Sequence, residues 1–202
     1  MRFWRLPLLS PLHLALTILV GLTVAACETP NPQQSFADIT FEHLPDIKLD
    51  VEEILVEQAY GPTYNDPYVD HLFPVQPLDA AIRWAGDRLI AAGNGRMARF
   101  IVHEASVIET PLDTDQGLTG ALTIEPSERY EAKIVVELQI LRDGRLEGTT
   151  RAEALRTVTV TEGISLHERE GVWYLMTEQI MGDLNSELEQ VISSNYASYL
   201  VL

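Results

Sequence analysis

The sequence predicts a single α+β domain with the element order β-α-β-β-β-α, in which a mostly antiparallel sheet carries two helices on one face. Three observations predict this fold. Apolar and polar side chains alternate strictly from Tyr130 to Ile140, which is typical of a strand with one buried and one solvent-facing side. Asp143-Gly144 follows and favours a tight hairpin turn. Residues 77–93 and 165–195 carry apolar side chains at helical spacing.

The first element is a predicted strand over residues 46–59. Apolar residues alternate from Ile47 to Val56, but the alternation changes phase by one position near Glu52 and Glu53. This change of phase predicts a β-bulge. We expect the two carboxylates to lie on opposite faces of the strand, so that they cannot act together as acid and base across one bond.

An irregular segment and the first helix come next. Residues 60–77 contain four prolines and four aromatic side chains. Pro77 suits the first position of a helix. The apolar stripe from Leu78 to Ala92 then predicts a helix that ends at Gly93.

The second half of the chain predicts further strands. They lie at 99–109, at 130–140 and, after the hairpin turn, at 152–160. Turn-forming residues occupy 110–127, and a short strand at 118–124 is an open alternative there.

The last element is a predicted long helix. Ser165 and Glu168 have the spacing of a capping box. Apolar residues from Trp173 to Val191 share one helical face, and the helix is expected to run to about Asn195.

The N-terminal segment has the three-part build of a secretory signal. Arg2 and Arg5 precede an apolar run from Leu6 to Ala26, and the string Val24-Ala25-Ala26-Cys27 closes it. This string resembles the lipobox of bacterial lipoproteins. The resemblance implies that the Cys27 thiol receives a diacylglycerol, that cleavage occurs before Cys27 and that the new amino group is acylated.

These features predict three regions: a signal peptide at 1–26, a lipidated cysteine with a tether at 27–36, and a periplasmic α+β domain at 37–202. Two alternatives stay open, an uncleaved transmembrane helix and an ordinary signal with a chance cysteine. In the lipoprotein family, an aspartate after the cysteine retains the protein in the inner membrane. Glu28 stands there instead, which implies the outer membrane.

Composition excludes several partners. Residues 27–202 carry 12 basic and 30 acidic side chains, a formal net charge of −18. A nucleic-acid partner is not expected, because phosphate binding needs a basic surface. Direct adsorption to anionic lipid is disfavoured for the same reason. We therefore expect membrane attachment through lipidated Cys27 alone.

Motifs for chemistry are weak. Residues 93–98 match the letters of a dinucleotide fingerprint, but they follow a predicted helix and lead into a strand, the reverse of the required context. Residues 113–117 match half of a calcium loop and lack its distal glutamate. The histidines show no metal-ligand spacing. We expect no catalytic residue, no metal and no cofactor.

Two sets of side chains are candidates for contact with a protein partner. Aromatic residues favour interfaces, and arginines suit carboxylate or phosphate groups. The aromatic candidates are Tyr60, Tyr64, Tyr68 and Phe73 in the irregular segment. The basic candidates are Arg83 and Arg88, which form a basic cluster with Arg96 and Arg99. In the alternative, the rings clamp a long loop to the sheet and Arg83 pairs with Asp79 or Asp87 along its helix. A contact role requires at least two exposed rings.

The whole pattern resembles two related groups of bacterial lipoproteins. They are the auxiliary lipoproteins of ABC-type transport systems and the lipoprotein of the lipopolysaccharide assembly complex. The resemblance is carried by Trp84 and Leu89, by Glu128-Arg129-Tyr130 and by the final helix. It implies a noncatalytic partner of an envelope lipid or lipopolysaccharide transport system. A periplasmic ligand-binding or lipid-binding module and a hydrolase are the alternatives.

Overall fold

The folded chain has six strands and two helices within the residues described, which are 35–113 and 125–201 in the computed structural model. In chain order the elements are β1 (Ile47–Leu49), β2 (Glu53–Gln58), α1 (Pro77–Arg88), β3 (Leu89–Ala91), β4 (Met97–Pro111), β5 (Pro126–Arg142), β6 (Arg145–Thr161) and α2 (Leu166–Asn195). Short 3₁₀ turns lie at Asp70–Leu72 and Ala197–Tyr199.

The main sheet has four strands in the order β2-β4-β5-β6. Strand β2 is parallel to β4, while β4 with β5 and β5 with β6 are antiparallel pairs. Strands β4, β5 and β6 are 15, 17 and 17 residues long, so they form most of the sheet. The predicted mostly antiparallel sheet and α+β class are confirmed.

The β5–β6 hairpin matches its prediction closely. Ile134, Val136 and Leu138 are buried on one face of β5, as the alternation predicts. At the turn, Asp143 has φ 49° and Gly144 has φ 75°. Both angles lie in the left-handed region that a tight two-residue hairpin turn requires.

The first predicted strand is two strands in different sheets, not one strand with a bulge. Strand β1 pairs in parallel with β3, and β2 pairs in parallel with β4. Residues Asp50–Glu52 separate them, so the change of phase marks a break between two sheets. On its other side β1 meets the end of the chain: the Asp50 amide donates to the Tyr199 carbonyl at 2.7 Å, and the Val201 amide donates to the Lys48 carbonyl at 2.9 Å.

The first helix is shorter than predicted. It begins at Pro77, as expected, but ends at Arg88, and the next three residues form β3. They leave the helix because they pair with β1. Gly93 is therefore not a helix cap. It lies against Asp50, where a Cβ atom would approach Asp50 Oδ1 to 2.0 Å.

The second helix has the predicted start and end. The Ser165 Oγ accepts the Glu168 amide at 3.2 Å, and the Ser165 amide donates to the Glu168 carboxylate at 2.8 Å. This reciprocal pair is the predicted capping box. The helix then runs to Asn195.

Both helices share one core with the same face of the main sheet. Trp84 of α1 stacks on Phe100 of β4 with ring centroids 5.6 Å apart. Trp173 of α2 meets the Tyr130 ring of β5 edge-on at 5.7 Å. All four rings belong to one continuous buried cluster. The predicted arrangement of two helices on one face is confirmed.

Some predictions fall outside the described residues. These are Cys27 with its signal segment, the alternative strand at 118–124 and all of the half calcium loop except Asp113. Among the residues that are described, no helix is long and apolar enough to cross a membrane.

Candidate partner-contact site

The aromatic segment of residues 60–76 runs along the edge of β4. Strand β2 pairs with β4 only as far as Val102. Beyond it, the Val69 amide donates to the Val107 carbonyl and the Glu109 amide donates to the Pro67 carbonyl, both at 2.9 Å. The segment thus continues the sheet edge. We call this end of the sheet, with the start of β5 and the first turns of α2, the loop end.

Tyr60 and Asp70 hold the segment in place. The Tyr60 hydroxyl donates to Asp70 Oδ1 at 3.3 Å, and Asp70 is only 2 % exposed. Burial raises the pKa of Tyr60, and the neighbouring Asp70 charge raises it further. A hydroxyl that keeps its proton can act as a donor to a buried carboxylate. This pair therefore performs the clamping role that was the alternative to contact.

Phe73 belongs to the core and not to an exposed surface. Its ring stacks on Trp173 with centroids 5.0 Å apart and an interplanar angle of 11°. It is buried because α2 covers it, a long-range contact that local sequence does not reveal. The predicted contact set therefore loses Phe73.

Tyr64 is the exposed ring of the four. It is 71 % exposed and meets His71 edge-on at 5.2 Å. Leu72, the chain neighbour of His71, is 53 % exposed, whereas Tyr68 is partly buried and forms a bridge with Ile108. One exposed ring falls short of the two that the predicted aromatic contact surface requires. A smaller surface remains, formed by exposed Tyr64 and Leu72 with half-buried His71, which we call the loop-end patch.

The predicted basic cluster is a set of separate ion pairs. Each of its four arginines binds a different carboxylate partner set: Arg83 binds Asp38, Arg88 binds Glu189, Arg96 binds Asp50 and Glu147, and Arg99 binds Glu57. Arg83 does not pair along its own helix with Asp79 or Asp87. The arginines therefore do not form a common anion site in the described part of the chain.

Arg88 is the exception among these arginines because it is buried. It is 2 % exposed and lies over the Trp84 ring at 6.0 Å. One guanidinium nitrogen donates to Glu189 at 2.5 Å, while Nε and Nη1 have no hydrogen-bond partner among the described residues. A side chain this enclosed cannot contact a partner directly, so Arg88 also leaves the predicted contact set.

A group of titratable side chains at the loop end was not predicted as a site. Tyr130 donates to Glu128 Oε2 at 2.6 Å, and Arg169 of α2 binds the other oxygen of Glu128 at 2.8 Å. Glu109 is the cross-strand neighbour of Tyr130. Burial raises the pKa of Glu109, and the negative charge of Glu128 adds to that effect. Glu128 and Tyr130 stood out in the sequence, but their link to α2 depends on tertiary structure.

Metal binding finds no support in this geometry. Among residues 35–113 and 125–201, no three His, Cys, Asp or Glu side chains converge closely enough to hold an ion. His71 lies against Tyr64, and His103 Nε2 lies 2.8 Å from Glu137 Oε2 on the sheet. These histidines serve separate local contacts.

Comparison with known proteins leaves the family open. No protein-family model and no curated protein sequence matches the chain. Among solved structures, the chain is similar to a minor lipoprotein from Acinetobacter baumannii, with 14 % identity, a TM-score of 0.37 and coverage of 71 % of this chain and 91 % of that one. The rare lipoprotein B from Shewanella oneidensis gives 14 % identity, a TM-score of 0.36 and coverage of 71 % and 96 %. A Xanthomonas campestris protein gives 10 % identity, a TM-score of 0.33 and coverage of 76 % of this chain and 88 % of that one. Similarity this low does not assign a function.

Proposed function

We propose that this protein is a lipid-anchored, noncatalytic accessory component of an envelope lipid or lipopolysaccharide transport system, held at the outer membrane and facing the periplasm. The observation that carries the anchoring is the string Val24-Ala25-Ala26-Cys27 at the end of the apolar run. Lipidation adds about 0.8 kcal/mol per buried CH₂, and stable anchoring needs more than one chain. A triacylated Cys27 meets that requirement.

The position where the tether joins the domain supports a role for the loop-end patch. The eight residues from Glu28 to Ser35 can span at most about 28 Å when fully extended. At the domain, Phe36 stacks on Tyr174 of α2 with centroids 5.1 Å apart. Tyr174 lies in the first third of α2, toward the loop end. A lipid on Cys27 would therefore hold Phe36, which contacts the loop-end part of α2, within the reach of this tether from the membrane surface.

The filled core favours an accessory role over a ligand-binding module. Such a module needs an apolar cavity, and typical ligand pockets measure about 300–1,000 Å³. The space between sheet and helices instead holds large buried side chains, among them Trp84, Phe100 and Trp173. The grooves of about 550 and 430 Å³ do not lie between sheet and helices: the first is lined by strand starts and the hairpin turn, and the second by residues 38–44 and α2.

Replacing the anchor residue tests the membrane attachment. In Cys27→Ser, we expect the protein to leave the membrane fraction and to lose the mass of the lipid in intact mass spectrometry. The wild-type protein, expressed at the same level, is the control. If Cys27→Ser stays in the membrane fraction with residues 1–26 still attached, the uncleaved transmembrane alternative is correct.

Site-specific photo-crosslinking in cells tests the accessory role. A photoreactive residue at position 64 should capture a membrane protein of a lipid or lipopolysaccharide transport system. The control places the same residue at Leu155, which is similarly exposed at 65 % but lies near the middle of β6, on the opposite edge of the sheet. Capture of lipid alone at position 64 would support the binding-module alternative. Equal capture at both positions would remove the loop-end patch from the proposal.

A further inference from the structure

A second candidate surface lies at the opposite end of the main sheet, where the β5–β6 turn is. A groove of about 550 Å³ opens there. Its lining residues come from the start of β2, the start of β4 and the hairpin turn: Glu52, Glu53, Gly95, Arg96, Met97, Leu141, Asp143 and Gly144. We call it the hairpin-end groove. The sequence predicted only a turn, a strand start and a strand bulge for these residues.

Two apolar side chains line the groove, Met97 of β4 and Leu141 of β5, which are cross-strand partners. Leu141 pairs in turn with Leu146 of β6, which lies beside the groove and not in its lining. The three residues form an apolar row across neighbouring strands. Leu146 is 55 % exposed, and Met97 and Leu141 are partly buried. On the other side, Glu53 of β2 is the partner of Met97 and extends the row to the rim.

The rim of the groove carries negative charge that is not neutralised. Glu52, Glu53 and Asp143 are exposed, and within the described residues their carboxylates have no ion-pair or hydrogen-bond partner. The prediction that Glu52 and Glu53 lie on opposite faces of one strand is wrong. Glu52 precedes β2, which begins at Glu53, and both residues line the same groove.

Among the described residues that line the groove, Arg96 is the one cation, and it already forms ion pairs within the fold. Arg96 donates to Asp50 at 2.5 Å and to Glu147 at 2.9 Å, and its guanidinium lies 5.3 Å from the centre of the Tyr199 ring. Its hydrogen bond to Glu147 raises the pKa of Arg96, which therefore keeps its charge within these pairs. Arg96 does not offset the three free carboxylates.

From this geometry we infer that the hairpin-end groove binds a basic, amphipathic segment of a partner protein, in which lysine or arginine alternates with apolar side chains. The basic groups face the three carboxylates, and the apolar groups cover the row Met97, Leu141 and Leu146. Charge complementarity selects such a segment, and phosphates or anionic lipids are repelled. This inference does not depend on the lipid anchor or on the loop-end patch.

The groove also lies far from Phe36, the first residue of the folded domain. Tyr199, which follows α2, contacts Arg96 at the groove, whereas Phe36 contacts Tyr174 near the other end of the same helix. The helix from Tyr174 to Asn195 spans roughly 30 Å at 1.5 Å per residue. A partner in the groove therefore lies away from Phe36. The hairpin-end groove and the loop-end patch can be occupied at the same time.

Peptide binding to the full-length protein in detergent micelles tests this inference. The probe is a fluorescent Lys-Leu-Lys-Leu-Lys-Leu peptide, followed by anisotropy. In Glu52→Gln/Glu53→Gln/Asp143→Asn we expect Kd to rise about tenfold, because each exposed ion pair contributes a few-fold. Asn keeps the turn intact because it tolerates positive φ at position 143. Leu146→Ser should weaken Lys-Leu binding a few-fold and leave binding of a Lys-Ser-Lys-Ser-Lys-Ser peptide unchanged.

The matched control is Glu42→Gln/Glu162→Gln/Glu178→Gln. It makes the same change in net charge at three exposed carboxylates away from the groove, and it should change Kd less than twofold. Equal weakening by the two triple variants would mean that only overall charge is sensed, and this overturns the inference. The inference is also overturned if wild type shows no binding of the Lys-Leu peptide at peptide concentrations up to about 1 mM. Equal affinity of wild type for the Lys-Leu and Lys-Ser peptides overturns it as well.

Discussion

The loop end and the hairpin end of the sheet use their side chains in opposite ways. At the loop end, groups that resemble an interface in sequence are engaged inside the domain: Tyr60 binds Asp70, and Phe73 stacks on Trp173. At the hairpin end, Glu53 and Asp143 resemble ordinary solvent-facing residues, yet no described group pairs with them. Residue type alone therefore does not reveal which surface is free.

The physical reason for this difference is the cost of burial. Aromatic side chains gain from leaving water, so a long loop rich in them packs onto the nearest apolar surface. Carboxylates lose hydration when buried, so they stay exposed unless a partner is supplied. The loop end is accordingly sensitive to loss of packing. The hairpin end is sensitive to loss of charge and, where its backbone is crowded, to added volume.

The largest expected effect is on the loop-end core. Trp173→Ala should lower the free energy of unfolding by about 3–5 kcal/mol, because a large buried ring leaves a cavity. Leu146→Ala at the hairpin end should cost no more than about 0.5 kcal/mol, because that side chain is more than half exposed. Urea denaturation followed by circular dichroism measures both. Similar losses in the two variants would contradict the contrast between the two ends.

A smaller effect is expected where the backbone is crowded beside the hairpin-end groove. Gly93→Ala should cost about 1–3 kcal/mol, because its Cβ would approach Asp50 Oδ1 to 2.0 Å and the Asp50 carbonyl carbon to 2.5 Å. Gly86→Ala in α1 is the matched control. No atom would lie within 4 Å of its Cβ, so it should stabilise by about 0.5–1 kcal/mol. The same denaturation assay applies, and a gain from Gly93→Ala would refute the close approach.

The smallest effect concerns pH at the loop end. Burial raises the pKa of Glu109 above 4.5, so wild type loses stability as pH rises through that pKa. Glu109→Gln should therefore raise Tm at neutral pH, with a difference that shrinks at acid pH. Glu168 is the control of opposite sign, because its capping-box bonds with Ser165 lower its pKa. Glu168→Gln should lower Tm at neutral pH. Thermal melts between about pH 3 and 7 test both variants. Changes in Tm of the same sign in the two variants at neutral pH would contradict these expectations.

The local sequence pattern was sufficient to predict those elements that depend only on residues close together in the chain. The alternation in β5, the Asp143-Gly144 turn and the Ser165–Glu168 capping box all obey short-range rules. They were predicted at the correct residues. The N-terminal position of Pro77 in α1 belongs to the same group.

Pattern failed wherever distant segments decide the outcome. Leu89–Ala91 continue the apolar stripe of α1, but pairing with β1 takes them out of the helix. Arg88 and Phe73 are residue types that favour interfaces, but contacts with α2 bury both side chains. The hairpin-end groove was missed because Glu53, Met97 and Asp143 come together only through strand register.

The hydrogen bonds between β1 and residues 199–201 also set an order for folding. Strand β1 follows soon after the tether, yet one of its two neighbours is the last described segment of the chain. Closing so long a loop costs entropy before any contact repays it. Strand β1 therefore waits for residues 199–201, about 150 residues later in the chain, before both of its edges are paired. In pulsed hydrogen exchange during refolding, the Asp50 amide should gain protection later than the amides at the centre of β5.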